Sequence, residues 1–490
     1  MSASGKRWLY LAHRWLGIAL CLFFALWFLS GVVMMYVGYP KLTVEERLQG
    51  GAALTTATCC AAPTDLLAAL PHDAALKSLR LGSVAGQPRL LAVQGKRAFA
   101  VDAASGTAVT THEKVGAGRT AAAFAPTATI GPVEQIAEDA WTHSKALDMH
   151  RPMFRVTVTH PEWTALYVSG TTGEVVRDVT HTESRWNWIG AWLHWLYPLR
   201  GGSLDPWWTD IVIGLSLAGC VLVVIGMVVG LLRWRARGYA HGSRSPYRSV
   251  VKRWHHVIGL FSGLLILAWI ASGLFSVNPW KMFDSGAKNP VERLLEAPLL
   301  ARQFDPAATL SCFAGTDFVP YELEWLRHGD QLHGIGRSAT NQTRVLRDVA
   351  SCRITADYTS DELHAEAARL MPQARLIESV LQKEYDWHYY ARAPHTMTGG
   401  SDKPLPILRL MFDDPHGTWL YLDPRTSRIV QRIDDHARVK RWLFNFLHGW
   451  DWLLLLDHRP LWDALLILGS IAGFLASLTA AALGWKRLWR

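Results

Sequence analysis

Four stretches of this chain carry no charged residue: 15–37, 211–232, 257–277 and 464–485. Crossing a hydrocarbon core about 30 Å thick takes roughly 20 apolar residues, so the pattern predicts four membrane-spanning helices. Between the first and second runs, and again between the third and fourth, the period changes. Residues 154–158, 165–168 and 174–176 flank turn residues, as do 419–422 and 428–430 around Asp423-Pro424-Arg425-Thr426-Ser427. These predict hairpin strands. Residues 132–145 and 360–370 predict helices, and 50–125, rich in Ala, Gly and Thr, predicts little.

The chain also repeats itself. Sliding it by 254 aligns 152–219 with 406–473 without a gap, and 18 of the 68 pairs are identical, among them Arg155/Arg409, Tyr167/Tyr421, His194/His448 and Trp208/Trp462. A second match, offset by 242, joins the first and third runs and pairs His13/His255, Trp27/Trp269, Ser30/Ser272 and Gly31/Gly273. Parallel repeats of this kind are related by an axis along the membrane normal, across which equivalent residues can face one another. The expected fold is therefore membrane α-helical, with four transmembrane helices in two parallel repeats, each with an external α+β domain. The expected division is a first transmembrane helix (1–40), an external domain (41–187), an interfacial helix and second transmembrane helix (188–235), a basic loop (236–253), a third transmembrane helix (254–280), a second external domain (281–440), and an interfacial segment with the fourth transmembrane helix (441–490).

Charge sets the orientation. Of 490 residues only 19% are charged, with a net charge of +9. Lys6, Arg7 and Arg14 precede the first run, seven Arg and Lys residues without an acid lie between Arg233 and Arg253, and Lys486, Arg487 and Arg490 follow the fourth. Short loops rich in Lys and Arg stay cytoplasmic. Both termini are thus expected inside and both long segments outside, in the periplasm if the cell is bacterial. The basic excess then reads as topology, and no nucleic-acid partner is expected. The first run lacks a small-residue cleavage site and is read as an uncleaved anchor. The 24 Trp fit residues that gather at membrane boundaries. Of the six Cys, Cys59, Cys60, Cys312 and Cys352 would meet an oxidising compartment, where Cys312 and Cys352 can bridge. Cys21 and Cys220 read as buried thiols.

Four of the 20 His stand at membrane depth. His13 and His255 open the first and third spans; His194 and His448 precede the second and fourth. Pro198 and Gly201-Gly202 stop a short interfacial helix after His194. Haem iron takes axial imidazoles, and two b-type haems stacked across a four-helix bundle need four. The candidate iron ligands are therefore His13, His194, His255 and His448, with Arg14 and Arg253 beside the inner pair as propionate partners and Arg200, Arg441 and Arg459 at the outer level. His256 competes with His255, and His458 with His448; the repeat favours His255 and His448. The bland alternative is that these His are interfacial anchors. No zinc motif, phosphate-binding glycine loop or nucleophile elbow is present.

His13-Arg-Trp-Leu-Gly17, Leu193-His194 followed by Gly201-Gly202, and His255-His-Val-Ile-Gly259 resemble the PepSY-associated transmembrane family. Leu420-Tyr-Leu-Asp-Pro-Arg-Thr426 and Thr171-Thr-Gly-Glu174 resemble the strand and turn of its PepSY module. The resemblance implies two periplasmic PepSY-like domains on a bacterial inner-membrane protein tied to iron uptake. It implies a haem-containing reductase that passes electrons through two b haems to a ferric siderophore or similar Fe(III) chelate. The electron donor would be separate, a quinol or a cytoplasmic flavoprotein. The alternative is a non-enzymatic, membrane-anchored PepSY binding or regulatory protein.

Overall fold

The computed structural model describes residues 2–71, 75–110, 113–159, 162–286, 303–355 and 357–489. Arg490 of the last basic patch lies outside them. Four helices are long and apolar enough to cross a bilayer: Ala3–Tyr36, Asp205–Arg233, Val250–Ser276 and Arg459–Leu488. The chain is thus a multi-pass membrane protein. The first span packs on the second and fourth, and the third does the same, closing a four-helix bundle. Small residues bring the backbones together. A side chain at Gly219 would drive into the ring of Phe24, and one at its repeat partner Gly473 into Phe28. Without water to drive helices together, this close packing is what association relies on.

The first long segment holds β1 (Ser78–Val84), β2 (Gln87–Gln94), β3 (Arg97–Asp102), β4 (Ala108–Val109), β5 (Ile130–Ile136), β6 (Met153–Val158), β7 (Thr164–Ser169) and β8 (Val175–Thr180). The second holds β9 (Glu322–His328), β10 (Gln331–Arg337), β11 (Thr343–Asp348), β12 (Arg353–Thr355), β13 (Leu376–Gln382), β14 (Ile407–Phe412), β15 (Trp419–Leu422) and β16 (Ile429–Ile433). Two four-stranded antiparallel sheets, in the orders β5-β6-β7-β8 and β13-β14-β15-β16, occupy matching places. Their register matches too: Arg155 opposes Tyr167 in one and Arg409 opposes Tyr421 in the other.

The remaining strands form one sheet, in the order β12-β11-β10-β9-β1-β2-β3-β4. The seam between the halves is the antiparallel β1–β9 pair, with Arg80 opposite Glu324 and Leu81 opposite Leu323. One module per half is therefore an incomplete description, because the obscure 50–125 stretch supplies half of a sheet shared by both. Leu79 and Leu81 of β1 and Leu323 of β9 are fully buried beneath it. A buried ion-pair network crosses the same seam. Arg80 pairs with Glu174 and, at 3.2 Å, with Glu322, which also pairs with Arg47. Burial alone would raise the Glu322 carboxyl; Arg47 and Arg80 outweigh it and hold it at about 2.

The helix expected at 360–370 is present as Ser360–Leu370, started by a Thr359/Glu362 capping box. The one expected at 132–145 is not. Residues 130–136 form β5, and a 3₁₀ turn follows at Lys145–His150. Val133 and Ile136 have helical spacing, but Val133 and Glu134 pair with Val156 and Arg155 of β6, and sheet pairing overrides the local preference. Cys312 and Cys352 form a disulfide, Cys59 is joined to Cys60, and Cys21 and Cys220 are free thiols.

Candidate functional site

The inner pair of histidines projects from two helices of the bundle. His13 lies on the first span and His255 on the third, and their ring centres are 6.2 Å apart. The outer pair rides on two short helices at the mouth of the bundle, His194 on Ala191–His194 and His448 on Leu447–Gly449. Their ring centres are 6.1 Å apart. With metal–nitrogen bonds of about 2 Å and about 1.1 Å from ring centre to nitrogen, two imidazoles on opposite sides of one metal would put their centres roughly 6.2 Å apart. Both couples have that separation.

Each ring also has one nitrogen already committed. His13 Nδ1–H donates to the Leu222 carbonyl at 3.4 Å, and His255 Nδ1–H to the Ala476 carbonyl at 3.1 Å. Leu222 and Ala476 are equivalent under the 254 offset. At the outer level, Ser30 Oγ lies 2.9 Å from His194 Nδ1, and Ser272 Oγ lies 3.1 Å from His448 Nδ1. Ser30 donates its own hydroxyl proton to the Leu26 carbonyl at 2.7 Å, and Ser272 donates to Trp269 at 3.0 Å. Each hydroxyl therefore accepts from Nδ1–H, which places the lone pair on Nε2. None of the four Nε2 atoms makes a hydrogen bond among the described residues. A metal-ligating imidazole has this arrangement, its second nitrogen donating to a fixed acceptor.

Local packing holds the rings there. The His13 ring lies against the backbone of the second span at Gly226, where an added Cβ would come within 2.6 Å of it. Gly31 and Gly273 lie beside His194 and His448. After each outer histidine the chain turns through a left-handed residue, Leu196 (φ 54°) or Trp450 (φ 46°). The turn is pinned to the following span by an indole. Trp208 Nε1–H donates to the Trp195 carbonyl at 2.8 Å, and Trp462 Nε1–H donates to Gly449 and Trp450 at 3.1 Å. These tryptophans are tethers for the histidine-bearing turns, a role beyond that of interfacial anchor.

The rivals are placed elsewhere. His256 is buried with both nitrogens occupied, Nδ1 by Ser245 Oγ at 2.8 Å and Nε2 by the Gly230 carbonyl at 2.9 Å. His458 is exposed and bonds its own helix turn. Arg14 and Arg253 are exposed and make no ion pair among the described residues. Arg441 is committed to a buried pair with Asp451 at 2.8 Å, Arg200 pairs with Asp205, and Arg459 with Asp463 at 3.2 Å. No group of three or more His, Cys, Asp or Glu suited to a metal ion occurs among the described residues; each couple offers two ligands, as a macrocycle-bound iron requires and a bare tetrahedral zinc does not.

Ser30, Ser272, Gly226, the Leu222 and Ala476 carbonyls, and Thr479, whose hydroxyl lies 3.1 Å from His255 Nδ1, hold these rings, and no motif marks them. Ser30, Ser272 and the tethering indoles were nonetheless visible as repeat-equivalent pairs. The family described as PepSY-associated TM region matches residues 10–310, more than half of the chain. The match takes in His13, His194 and His255, while His448 lies beyond it. No curated protein and no solved structure matches.

Proposed function

We propose, for a chain that belongs to the PepSY-associated TM region family, that it is a transmembrane reductase of ferric chelates such as siderophores, placed in a bacterial inner membrane with both termini in the cytoplasm. The observation that carries this reading is the closing of four separated histidines into two couples with ring centres 6.2 and 6.1 Å apart, every Nδ1 committed and every Nε2 without a hydrogen-bond partner among the described residues. Their stacking at two levels of one bundle sets two relay points in line across the bilayer. When bound, two b-type haems would supply one-electron transfer between these levels.

The protein's own part is positioning. Leu222 and Ala476 orient the inner rings and Ser30 and Ser272 the outer ones, which raises the basicity of each Nε2. The apolar bundle around Phe24, Phe28 and Trp269 keeps water away from the path. Each Fe(III) gains one electron at the outer face, and a donor on the other side, a quinol or a cytoplasmic flavoprotein, gives up one. A quinol thus serves two Fe(III) ions and releases two protons. Reduction weakens the grip of hard oxygen ligands on the iron and frees it. The duplication, supported by the matching registers of β6–β7 and β14–β15, explains why the ligand couples consist of equivalent residues.

The test is an absorption spectrum of protein purified from cells well supplied with haem. Reduction by dithionite should give b-type bands with about two haems per chain, and an added ferric chelate should reoxidise them. A colourless preparation overturns the reading.

A further inference from the structure

A cavity of about 340 Å³ opens in the second external region, lined in part by the turn that leads into the helix carrying His448. Its wall includes Arg392, Lys403, Lys440 and Arg441, with no Asp or Glu among its lining residues. Arg441 is neutralised by Asp451, which also accepts from the Tyr390 hydroxyl. Among the described residues the other three cations make no ion pair, although the Asp451 charge also acts on Arg392. Arg392 lies over the Trp462 ring at 5.5 Å, and neither it nor Lys440 makes an ion pair among the described residues. Among the described residues Lys403 makes no ion pair and meets the Gln431 amide oxygen and the Tyr389 ring, and burial lowers its ammonium to about 8. Three half-buried cations around an open volume carry a desolvation cost that an anionic ligand would offset.

We infer that this cavity binds an anionic ferric chelate, with carboxylate or catecholate oxygens facing Arg392, Lys403 and Lys440. The assignment rests on the reductase reading and deepens it. The position suits it: Arg441 and Asn445, which line the cavity, belong to the turn Arg441–Phe446 that runs directly into the helix carrying His448. A chelate held there sits beside the outer relay point. The volume lies at the small end of ligand pockets, which run from about 300 to 1,000 Å³, and favours a compact carboxylate chelate over a bulky one.

The test separates binding from electron transfer by using a redox-inert metal. Gallium(III) citrate is titrated calorimetrically into the full-length protein in nanodiscs of zwitterionic lipid, with a neutral gallium trihydroxamate as control. Citrate complex should bind, and R392Q, K403Q and K440Q should each weaken it at least tenfold while leaving the haem bands intact. Those bands also report that the variants are folded. Unchanged affinity in all three variants, or equal binding of the neutral complex, overturns the assignment. So does loss of citrate binding in phosphatidylglycerol nanodiscs, which would give the site to a lipid headgroup. Haem-free protein that still binds gallium citrate would sink the redox reading and leave the anion site standing.

Discussion

Ser30 Oγ and His194 Nδ1 stand 2.9 Å apart, joining the first span to the short helix before the second, and the same bond recurs between Ser272 and His448. A hydroxyl that donates to its own helix and accepts from an imidazole fixes which nitrogen is free. Ser30→Ala should leave His194 in place but release its ring. Such supporting contacts are commonly worth about 10- to 100-fold in metal-site affinity or activity. The outer haem should be retained that much more weakly, and its midpoint potential should move while that of the inner haem stays put. Redox titration monitored at the b-type bands measures both.

Removing ligands should show the same pairing. His13→Ala and His255→Ala should each lose the inner haem, and His194→Ala and His448→Ala the outer. Each single variant then keeps about one haem, and the double variant His13→Ala/His255→Ala loses no more than either single. Haem quantification in alkaline pyridine reads this directly, and a loss that cut across the couples would refute the assignment.

Gly226 touches no ligand atom through a side chain, yet it should be indispensable. An added Cβ would come within 2.6 Å of the His13 ring. Gly226→Val should push that ring out of line with His255, and the inner haem should fall below stoichiometry while the outer remains. Gly214 on the same helix has open space where its Cβ would be, so Gly214→Ala serves as the silent control.

Asp178 should make the sheet region between the first and second spans sensitive to pH. Burial first, then the neighbouring Glu46 and Glu183, push its carboxyl up to about 7, with His395 opposing. The folded value lies above the unfolded one, so the fold prefers the protonated form. That contribution is complete in acid and is lost as pH rises from about 4 to about 7. The melting temperature should therefore be lower at pH 8 than at pH 5.5, and Asp178→Asn should flatten that difference. His395 lies 3.0 Å from Glu46 and 3.7 Å from Glu183, so it shares these neighbours with Asp178. Only the part of the slope that Asn abolishes belongs to Asp178.

Glu322 tests the seam between the halves. It is 2% exposed and faces Arg47 and Arg80. Glu322→Ala leaves Arg47 without its buried counter-charge and Arg80 with Glu174 alone; breaking a buried pair in this way typically costs about 3–5 kcal/mol. Chemical denaturation followed by tryptophan fluorescence should show the loss, while the dithionite-reduced spectrum of the membrane bundle stays unchanged.

The membrane part of this fold is legible in the chain because each span depends on a long, one-dimensional property, an unbroken apolar run. The candidate couples are legible for another reason: depth and duplication together sort four histidines into two levels. The supporting bonds are harder to read. Leu222 and Ala476 act through backbone carbonyls, which leave no mark on residue type. The shared sheet hides because β1 to β4 lie in a stretch rich in Ala, Gly and Thr, and because its central pairing joins Arg80 to Glu324, far away in the chain. Its hairpins do leave a trace. Ala85-Gly86 and Gly95-Lys96 are two-residue loops whose positive-φ positions set the register of β1–β2 and β2–β3. Residues 132–145 mislead because Val133 and Ile136 satisfy a helical spacing while β6 claims the backbone.

The strand seam has a bearing on how such a chain can be cut. Severed in the basic connection between the second and third spans, it would fall into two polypeptides, each anchored by two helices and each presenting one naked β edge, β1 on one and β9 on the other. Those edges are self-complementary templates. The two fragments made together should knit back into one working unit, whereas either made alone should clump.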